Sequence, residues 1–78
     1  MKITIYSTPT CTYCKMAKEF LTEHNVAFEE INVAADVEKR KEMIEKSGQM
    51  GVPVIDIDGE IMVGYDQATL AARAGIAA

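Results

Sequence analysis

The first half of the chain predicts a strand, a helix and a second strand. Residues 2–6 alternate between polar and apolar side chains, as a strand does. Residues 11–24 have helical spacing, and this helix should end at His24-Asn25 because asparagine tolerates a left-handed backbone. Residues 27–33 predict a weaker strand, whose Glu29-Glu30 pair favours the edge of a sheet. The first helix carries one apolar stripe, made of Cys14, Ala17 and Leu21 with Met16 and Phe20 beside it.

The second half predicts a helix, a hairpin and a final helix. Residues 36–46 form the second helix, and its dense charge favours a solvated outer face over a docking surface. Residues 54–57 and 61–63 predict two strands joined by Asp58-Gly59, a sequence typical of tight hairpins. Asp66 is expected to cap the last helix, and Gly75 to end it.

The resulting order, β-α-β-α-β-β-α, predicts an α/β fold. A right-handed first crossover makes its two strands parallel, and the hairpin makes the last two antiparallel. We therefore expect a four-stranded mixed sheet with helices on both faces, built as one domain over residues 1–78. Ligands of such sheets collect at the carboxyl ends of the strands, and Cys11 lies just past the end of the first strand.

Charge and hydropathy exclude several classes of function. The net charge is −4 and the sequence pI about 4.8, which argues against nucleic acid as a partner because phosphate binding needs a basic surface. No apolar run approaches the length that spans a membrane, so we expect no membrane partner. The apolar segment at the start of the chain is too short and too strand-like for a secretory signal, which favours a cytoplasmic protein.

The only two cysteines form the motif Cys11-Thr12-Tyr13-Cys14 at a strand-to-helix junction. A helix N-terminus favours a thiolate, and a second sulfur one turn later is near enough to close a small disulfide. One alternative is half of a zinc site, but structural zinc needs four ligands and the chain has a single histidine, His24. The other alternative is a pair of buried structural thiols. The spacing and position favour redox chemistry, with no metal.

Four segments together resemble the thioredoxin-fold glutaredoxin family over essentially the whole chain. These segments are Ile5-Tyr6-Ser7, Cys11-Thr12-Tyr13-Cys14, Gly51-Val52-Pro53 and Val63-Gly64-Tyr65-Asp66-Gln67. The resemblance implies a thioredoxin-like fold and a thiol–disulfide oxidoreductase in which Cys11 is the nucleophile and Cys14 the resolving thiol. It implies no tightly bound cofactor, glutathione as a cosubstrate, disulfide-containing proteins as partners, and a monomer.

The resemblance also implies a glutathione groove. Pro53 would follow a cis peptide bond that faces the cysteines, and the backbone of Val52 would pair with the cysteinyl part of glutathione. The residues that would border the groove are Tyr13, Gly64, Tyr65 and Asp66. Asp66 would act as a helix cap in either case, and Tyr65 is equally suited to packing.

The chain departs from the family pattern at several positions around this groove. Thr8 and Gln49 stand at or near sites where relatives often place a cation, and Gln67 replaces a carboxylate, so glutathione should be held more weakly. These changes lean toward redoxins that take electrons from thioredoxin reductase. Those proteins usually carry an S-G-F-R-like segment where this chain has Val63-Gly64-Tyr65-Asp66, so the reductant stays open.

A different class of function is an iron–sulfur carrier. Some glutaredoxin-like proteins hold a cluster between two subunits, using the first cysteine of each and two glutathiones. Proline in the motif tends to oppose this, and Thr12 removes that obstacle.

Overall fold

The computed structural model describes residues 2–76. Met1, Ala77 and Ala78, which belong to the predicted domain of residues 1–78, lie outside the described residues. The order of elements is the predicted β-α-β-α-β-β-α. The elements are β1 (Ile3–Ser7), α1 (Thr12–Glu23), β2 (Glu29–Asn32), α2 (Val37–Ser47), β3 (Val54–Ile57), β4 (Glu60–Val63) and α3 (Gln67–Ala74). No helix among these residues is long and apolar enough to cross a membrane.

The four strands form one mixed sheet in the order β2-β1-β3-β4. β1 runs parallel to β2 and antiparallel to β3, and β3 runs antiparallel to β4. β2 is therefore an edge strand, as its glutamates predict. It is shorter than predicted, because only residues 29–32 pair with β1. Ser7, one residue beyond the predicted strand, is the last residue of β1 and is fully buried.

Alternating side chains of the sheet build two apolar layers, one on each face. On one face, Ile3, Ile5 and Ile55 pack with Ala17 and Leu21 of α1, and Leu70 of α3 completes the cluster. On the other face, Tyr6 and Val54 pack with Met43 of α2. Helices thus cover both faces, which confirms the predicted thioredoxin-like architecture.

The ends of the helices follow from local sequence. The carboxylates of Asp36 and Asp66 accept the backbone N–H of Lys39 at 3.0 Å and of Thr69 at 3.2 Å, so both act as N-caps. Asn25, just past α1, has a φ of 58°, as expected for the residue that ends this helix. In the hairpin, Asp58 and Gly59 have φ values of 50° and 92°, the two positive values that its tight turn requires.

The outer face of α2 is solvated, as predicted, at Glu38, Arg40, Lys41 and Glu45, whereas Glu42 and Lys46 form contacts with the sheet. Lys46, one turn after Glu42, does not pair with it but reaches across the sheet to Asp56 at 2.9 Å. Glu42 accepts a hydrogen bond of 2.5 Å from the Tyr6 hydroxyl. Val37 at the start of the helix is 55% exposed, whereas Met43 is completely buried, so the helix contacts the sheet through its middle and its last turn.

Candidate active site

The predicted site residues meet at one end of the sheet. The last residue of β1, Ser7, pairs with Asn32 at the end of β2, and Tyr6 pairs with Val54 at the start of β3. Gly64 follows β4 and donates its N–H to the carbonyl of Pro53 at 2.8 Å. The loop that leads to Cys11, the loop before β3 and the loop after β4 therefore lie side by side. The strand order produces this meeting, since these segments are distant in sequence.

Cys11 is the N-cap of α1. Its backbone is extended, with φ −89° and ψ 109°, and its Sγ accepts the backbone N–H of Cys14 at 3.1 Å. Its own N–H bonds to the carbonyl of Thr8 at 3.3 Å, which closes the loop in front of the helix. The sulfur is thus held by an N–H group at the positive end of the helix dipole, where a thiolate is favoured.

Cys14 lies in the first turn of α1 and is joined to Cys11 by a disulfide, with the two Cα atoms 5.2 Å apart. Its side chain is only 1% exposed, whereas that of Cys11 is partly open to solvent. The two sulfurs are therefore unequal, and a large substrate reaches Cys11 more readily than Cys14.

The loop before β3 has the conformation that the resemblance implies. The Val52–Pro53 peptide bond is cis, and Pro53 is buried. Neither the N–H nor the carbonyl of Val52 forms a hydrogen bond to any of residues 2–76. Its backbone is therefore available to pair with an extended chain.

Gln49 fixes this loop from within. Its side-chain oxygen accepts the N–H of Gly51 at 2.6 Å, and its amide nitrogen donates to the Gly51 carbonyl at 3.0 Å and to the Ser47 hydroxyl at 3.3 Å. Ser47 in turn donates to the carbonyls of Met43 and Gln49. The amide is thus occupied by its own loop, while the neighbouring Met50 is 70% exposed. The sequence marked Gln49 only as a missing cation, and this clamp was not predicted.

The remaining predicted groove residues differ in exposure. Tyr13 is 60% exposed beside the cysteines, whereas Tyr65 is half-buried and packs against the core next to α1 and α3. Burial raises the pKa of Tyr65, and the nearby carboxylates of Glu23 and Asp66 raise it further. Gly64 has a φ of 81°, which favours glycine at this bend. Tyr65 therefore has a packing role, and the Asp66 carboxylate serves as a helix cap.

A polar network that sequence reasoning missed lies directly under the active-site loop. Glu30 accepts hydrogen bonds from the Ser7 hydroxyl at 2.8 Å and from Lys18 at 2.5 Å. The bonds from Lys18 and then from Ser7 lower the pKa of Glu30, despite some desolvation. The network ties α1 to the edge strand β2 and to Ser7, which lies four residues before Cys11. Its members are distant in sequence, and only the β1–β2 pairing could have brought them together.

No group of three or more His, Cys, Asp or Glu side chains within residues 2–76 is arranged to hold a metal ion. His24 stands at the far end of α1, where its ring lies 4.6 Å from that of Phe20. It is remote in sequence and in the helix from the cysteine pair.

Comparison with known proteins agrees with this arrangement. The family model described as Glutaredoxin matches residues 3–62. An uncharacterized glutaredoxin-like 8.6 kDa protein in the rubredoxin operon of Clostridium pasteurianum is 53% identical over 87% of this chain and 91% of that protein. Glutaredoxin 3 of Escherichia coli is 40% identical over 95% of this chain and 90% of its own length. The glutaredoxin-like protein NrdH of Lactococcus lactis is 39% identical over 88% of this chain and 94% of its own length.

Solved structures show the same fold. A mutant of the thioredoxin-like protein BC3987 superposes with a TM-score of 0.91 at 33% identity, covering 96% of both chains. The glutaredoxin-like protein NrdH-redoxin from Escherichia coli superposes with a TM-score of 0.81 at 26% identity, covering 92% of this chain and 93% of that one. The fold, the cysteine pair and these similarities lead to one conclusion: this chain belongs to the glutaredoxin family and has a thioredoxin-like fold.

Proposed function

We propose that the chain is a dithiol thiol–disulfide oxidoreductase that reduces disulfides of proteins and small molecules. The observation that supports this most directly is the inequality of the two sulfurs. Cys11 is partly exposed and accepts an N–H group at the start of α1, whereas Cys14 is buried in the first turn. An accessible, stabilised thiolate next to a shielded thiol suits a two-step exchange.

In the first step, the Cys11 thiolate attacks one sulfur of the substrate disulfide. A Cys11–substrate disulfide forms, the substrate S–S bond breaks, and one substrate thiolate leaves. In the second step, Cys14 gives up its proton and attacks the Cys11 Sγ, which forms the Cys11–Cys14 disulfide and releases the second substrate thiolate. The substrate gains two electrons and the protein loses two. The helix N-terminus stabilises Cys11 as thiolate and again as leaving group.

The backbone of Val52 is the proposed docking element for the substrate. An extended cysteinyl segment would pair with its unbonded N–H and carbonyl, as a short added strand. Tyr13, Pro53, Gly64, Tyr65 and Asp66 would border the bound segment. The same frame suits a tripeptide or a stretch of a protein substrate, since backbone pairing is indifferent to the side chains.

Glutathione is the proposed reductant, with two molecules returning the protein to the dithiol and leaving as glutathione disulfide. The pairing site at Val52 and the N-terminus of α3 support it. The recognition should be weak, because Thr8 offers no charge and the Gln49 amide already bonds to Gly51 and Ser47. A glutathione carboxylate would therefore meet few strong partners at that rim.

Thioredoxin reductase is the second candidate reductant. The occupied amide of Gln49 favours it, as does the likeness to NrdH of Lactococcus lactis. The NrdH-redoxin of Escherichia coli, a structural neighbour, is described as having a thioredoxin-like activity profile. A reductase supplies its electrons through a protein contact, so it has no need of a charged rim for a tripeptide.

A paired assay tests the proposal. Oxidised protein is mixed with NADPH and either glutathione with glutathione reductase or thioredoxin reductase alone, and NADPH consumption is followed with a protein disulfide as acceptor. Faster turnover with one system identifies the reductant, and Cys11→Ser is the matched inactive control. No turnover with either system would refute the oxidoreductase. A brown anaerobic preparation that fails to turn over disulfides would favour the iron–sulfur carrier.

A further inference from the structure

A groove between α1 and the start of α3 runs away from the cysteine pair. It is lined by the apolar and aromatic side chains of Met16, Phe20 and Tyr65, by the carboxylates of Glu19 and Glu23, and by His24 and Gln67. Its volume is about 230 Å³. Cofactor pockets are about 300–1,000 Å³, so this groove suits a single long side chain better than a cofactor.

One end of the groove is formed by residues that adjoin the proposed active site in the chain. Met16, 43% exposed, is two residues beyond Cys14, and Tyr65 directly follows Gly64, which is bonded to Pro53. At 1.5 Å per residue, Glu19 and Glu23 lie about 12 and 18 Å along the helix axis from Cys11. A segment whose cysteine is attacked at Cys11 can therefore extend into the groove.

The two carboxylates of the groove lie where their negative charges destabilise α1. Glu19 and Glu23 are four residues apart, a like-charge spacing that destabilises a helix. Glu23 is also the last residue of α1, at the negative end of the helix dipole. Glu23 and Tyr65 line the same groove, and the charge of Glu23 contributes to raising the pKa of Tyr65.

The described part of the chain, residues 2–76, supplies no ion pair to either carboxylate. Lys18, the nearest base along the helix, is bound to Glu30 at 2.5 Å. Lys15 stands four residues before Glu19, in the less favourable orientation for a helical pair, and forms no ion pair with it. His24, which follows Glu23 and lines the same groove, also forms no ion pair with either carboxylate, so among residues 2–76 both negative charges lie unpaired beside aromatic walls.

We infer that this α1–α3 groove binds a basic side chain of a protein substrate, with arginine fitting best. A guanidinium stacks on aromatic faces and bonds to carboxylates, which are the two surfaces that the groove offers. An extended chain advances about 3.3 Å per residue, so the arginine would lie about three to five residues from the attacked cysteine. The inference rests on the proposed function and names the substrate class: disulfides flanked by a basic residue.

Matched peptides test the inference. Disulfide-linked, self-quenched fluorescent dimers carry Arg, Gln or Glu four residues from the cysteine on either side, and the rate of fluorescence gain with reduced protein gives the second-order rate constant. We expect the wild type to favour the Arg peptide. Glu19→Gln/Glu23→Gln should slow that peptide about three- to tenfold and leave the Gln peptide unchanged. The preference should shrink as salt is added, since rim charges are screened.

The control is Glu38→Gln/Glu45→Gln on α2, which changes the net charge equally at exposed positions away from the groove. Equal losses in both double variants would show that net charge alone acts, and equal wild-type rates for all three peptides would overturn the inference. Glu23→Lys serves as a second variant, because it should raise the rate for the Glu peptide. Hydroxyethyl disulfide separates the two failures: a protein that reduces it without peptide preference lacks the groove function alone, whereas one that reduces no disulfide lacks the proposed function.

Discussion

Replacing Gln49 with alanine should loosen the loop that presents Val52. The side chain makes three hydrogen bonds, at 2.6, 3.0 and 3.3 Å, to Gly51 and Ser47. Each such bond contributes about 0.5–1.5 kcal/mol, and the partial exposure of Gln49 favours the lower end, so the free energy of unfolding should fall by about 1–2 kcal/mol. That loss corresponds to about 4–16 °C in Tm for a domain of this size.

The activity should report the same change. We expect the KM for a protein disulfide to rise a few-fold, with kcat less affected, because the backbone that we propose as the docking element is held less firmly. Gln67→Ala, an exposed glutamine at the start of α3, is a control for loss of an amide in the stability measurement only, because Gln67 lines the groove between α1 and α3. Urea unfolding of the oxidised protein gives the stability, and the paired reductase assay gives KM.

A double-mutant cycle with Gly51→Ala gives the sharpest test. A Cβ on Gly51 would stand 2.7 Å from the Gln49 side-chain oxygen, so it displaces the amide without removing it. The stabilisation from replacing a glycine, about 0.4–1 kcal/mol, is present on both sides of the cycle and cancels. The two substitutions should therefore be strongly non-additive. If Gln49→Ala left both stability and KM at wild-type values, or if the effects simply added, the clamp would contribute nothing.

Three groups of further outcomes follow from the site. Brief alkylation of the reduced protein at mildly acid pH should label Cys11, and Cys14→Ser should trap a mixed disulfide on Cys11 without releasing it; predominant label on Cys14 would reverse the roles. Thr8→Lys should lower the KM for glutathione a few-fold at low salt, equivalent to at most about 1 kcal/mol, and an unchanged KM would make thioredoxin reductase the first candidate. Lys18→Met should lower the free energy of unfolding by about 0.5–1 kcal/mol at neutral pH. The pKa of Glu30 is depressed in the folded protein, so the stability difference between wild type and variant should be complete at pH values above the pKa of Glu30 in the unfolded chain. It should vanish as the pH falls through the folded-state pKa and Glu30 becomes protonated. A stability difference that stays constant at all pH values would exclude the ion pair.

Local sequence is sufficient to predict the helices and strands and the position of the two cysteines at the start of α1. Capping side chains, a hairpin dipeptide and apolar spacing act within a few residues, so Asp66 and Asp58-Gly59 are each found in the predicted role, and Asp36, predicted as the first residue of the second helix, is its N-cap. The position of Cys11 at the start of α1 follows from the same short-range rules. The family resemblance, carried by four spaced segments, supplied the cis bond before Pro53, which spacing alone does not predict.

The contacts that bind distant segments were decided by the tertiary structure alone. The Tyr6 hydroxyl donates to Glu42 and accepts from Lys46 at 3.1 Å, and Lys46 also reaches Asp56. Burial and the bond to Glu42 raise the pKa of Tyr6. Glu42 and Lys46 stand at a helical ion-pair spacing, yet Glu42 bonds to Tyr6 and Lys46 bonds to Asp56 of the sheet. Sequence fixes what each residue offers within a turn or two, whereas partners thirty or forty residues away depend on strand order and register, which only packing of the whole chain determines.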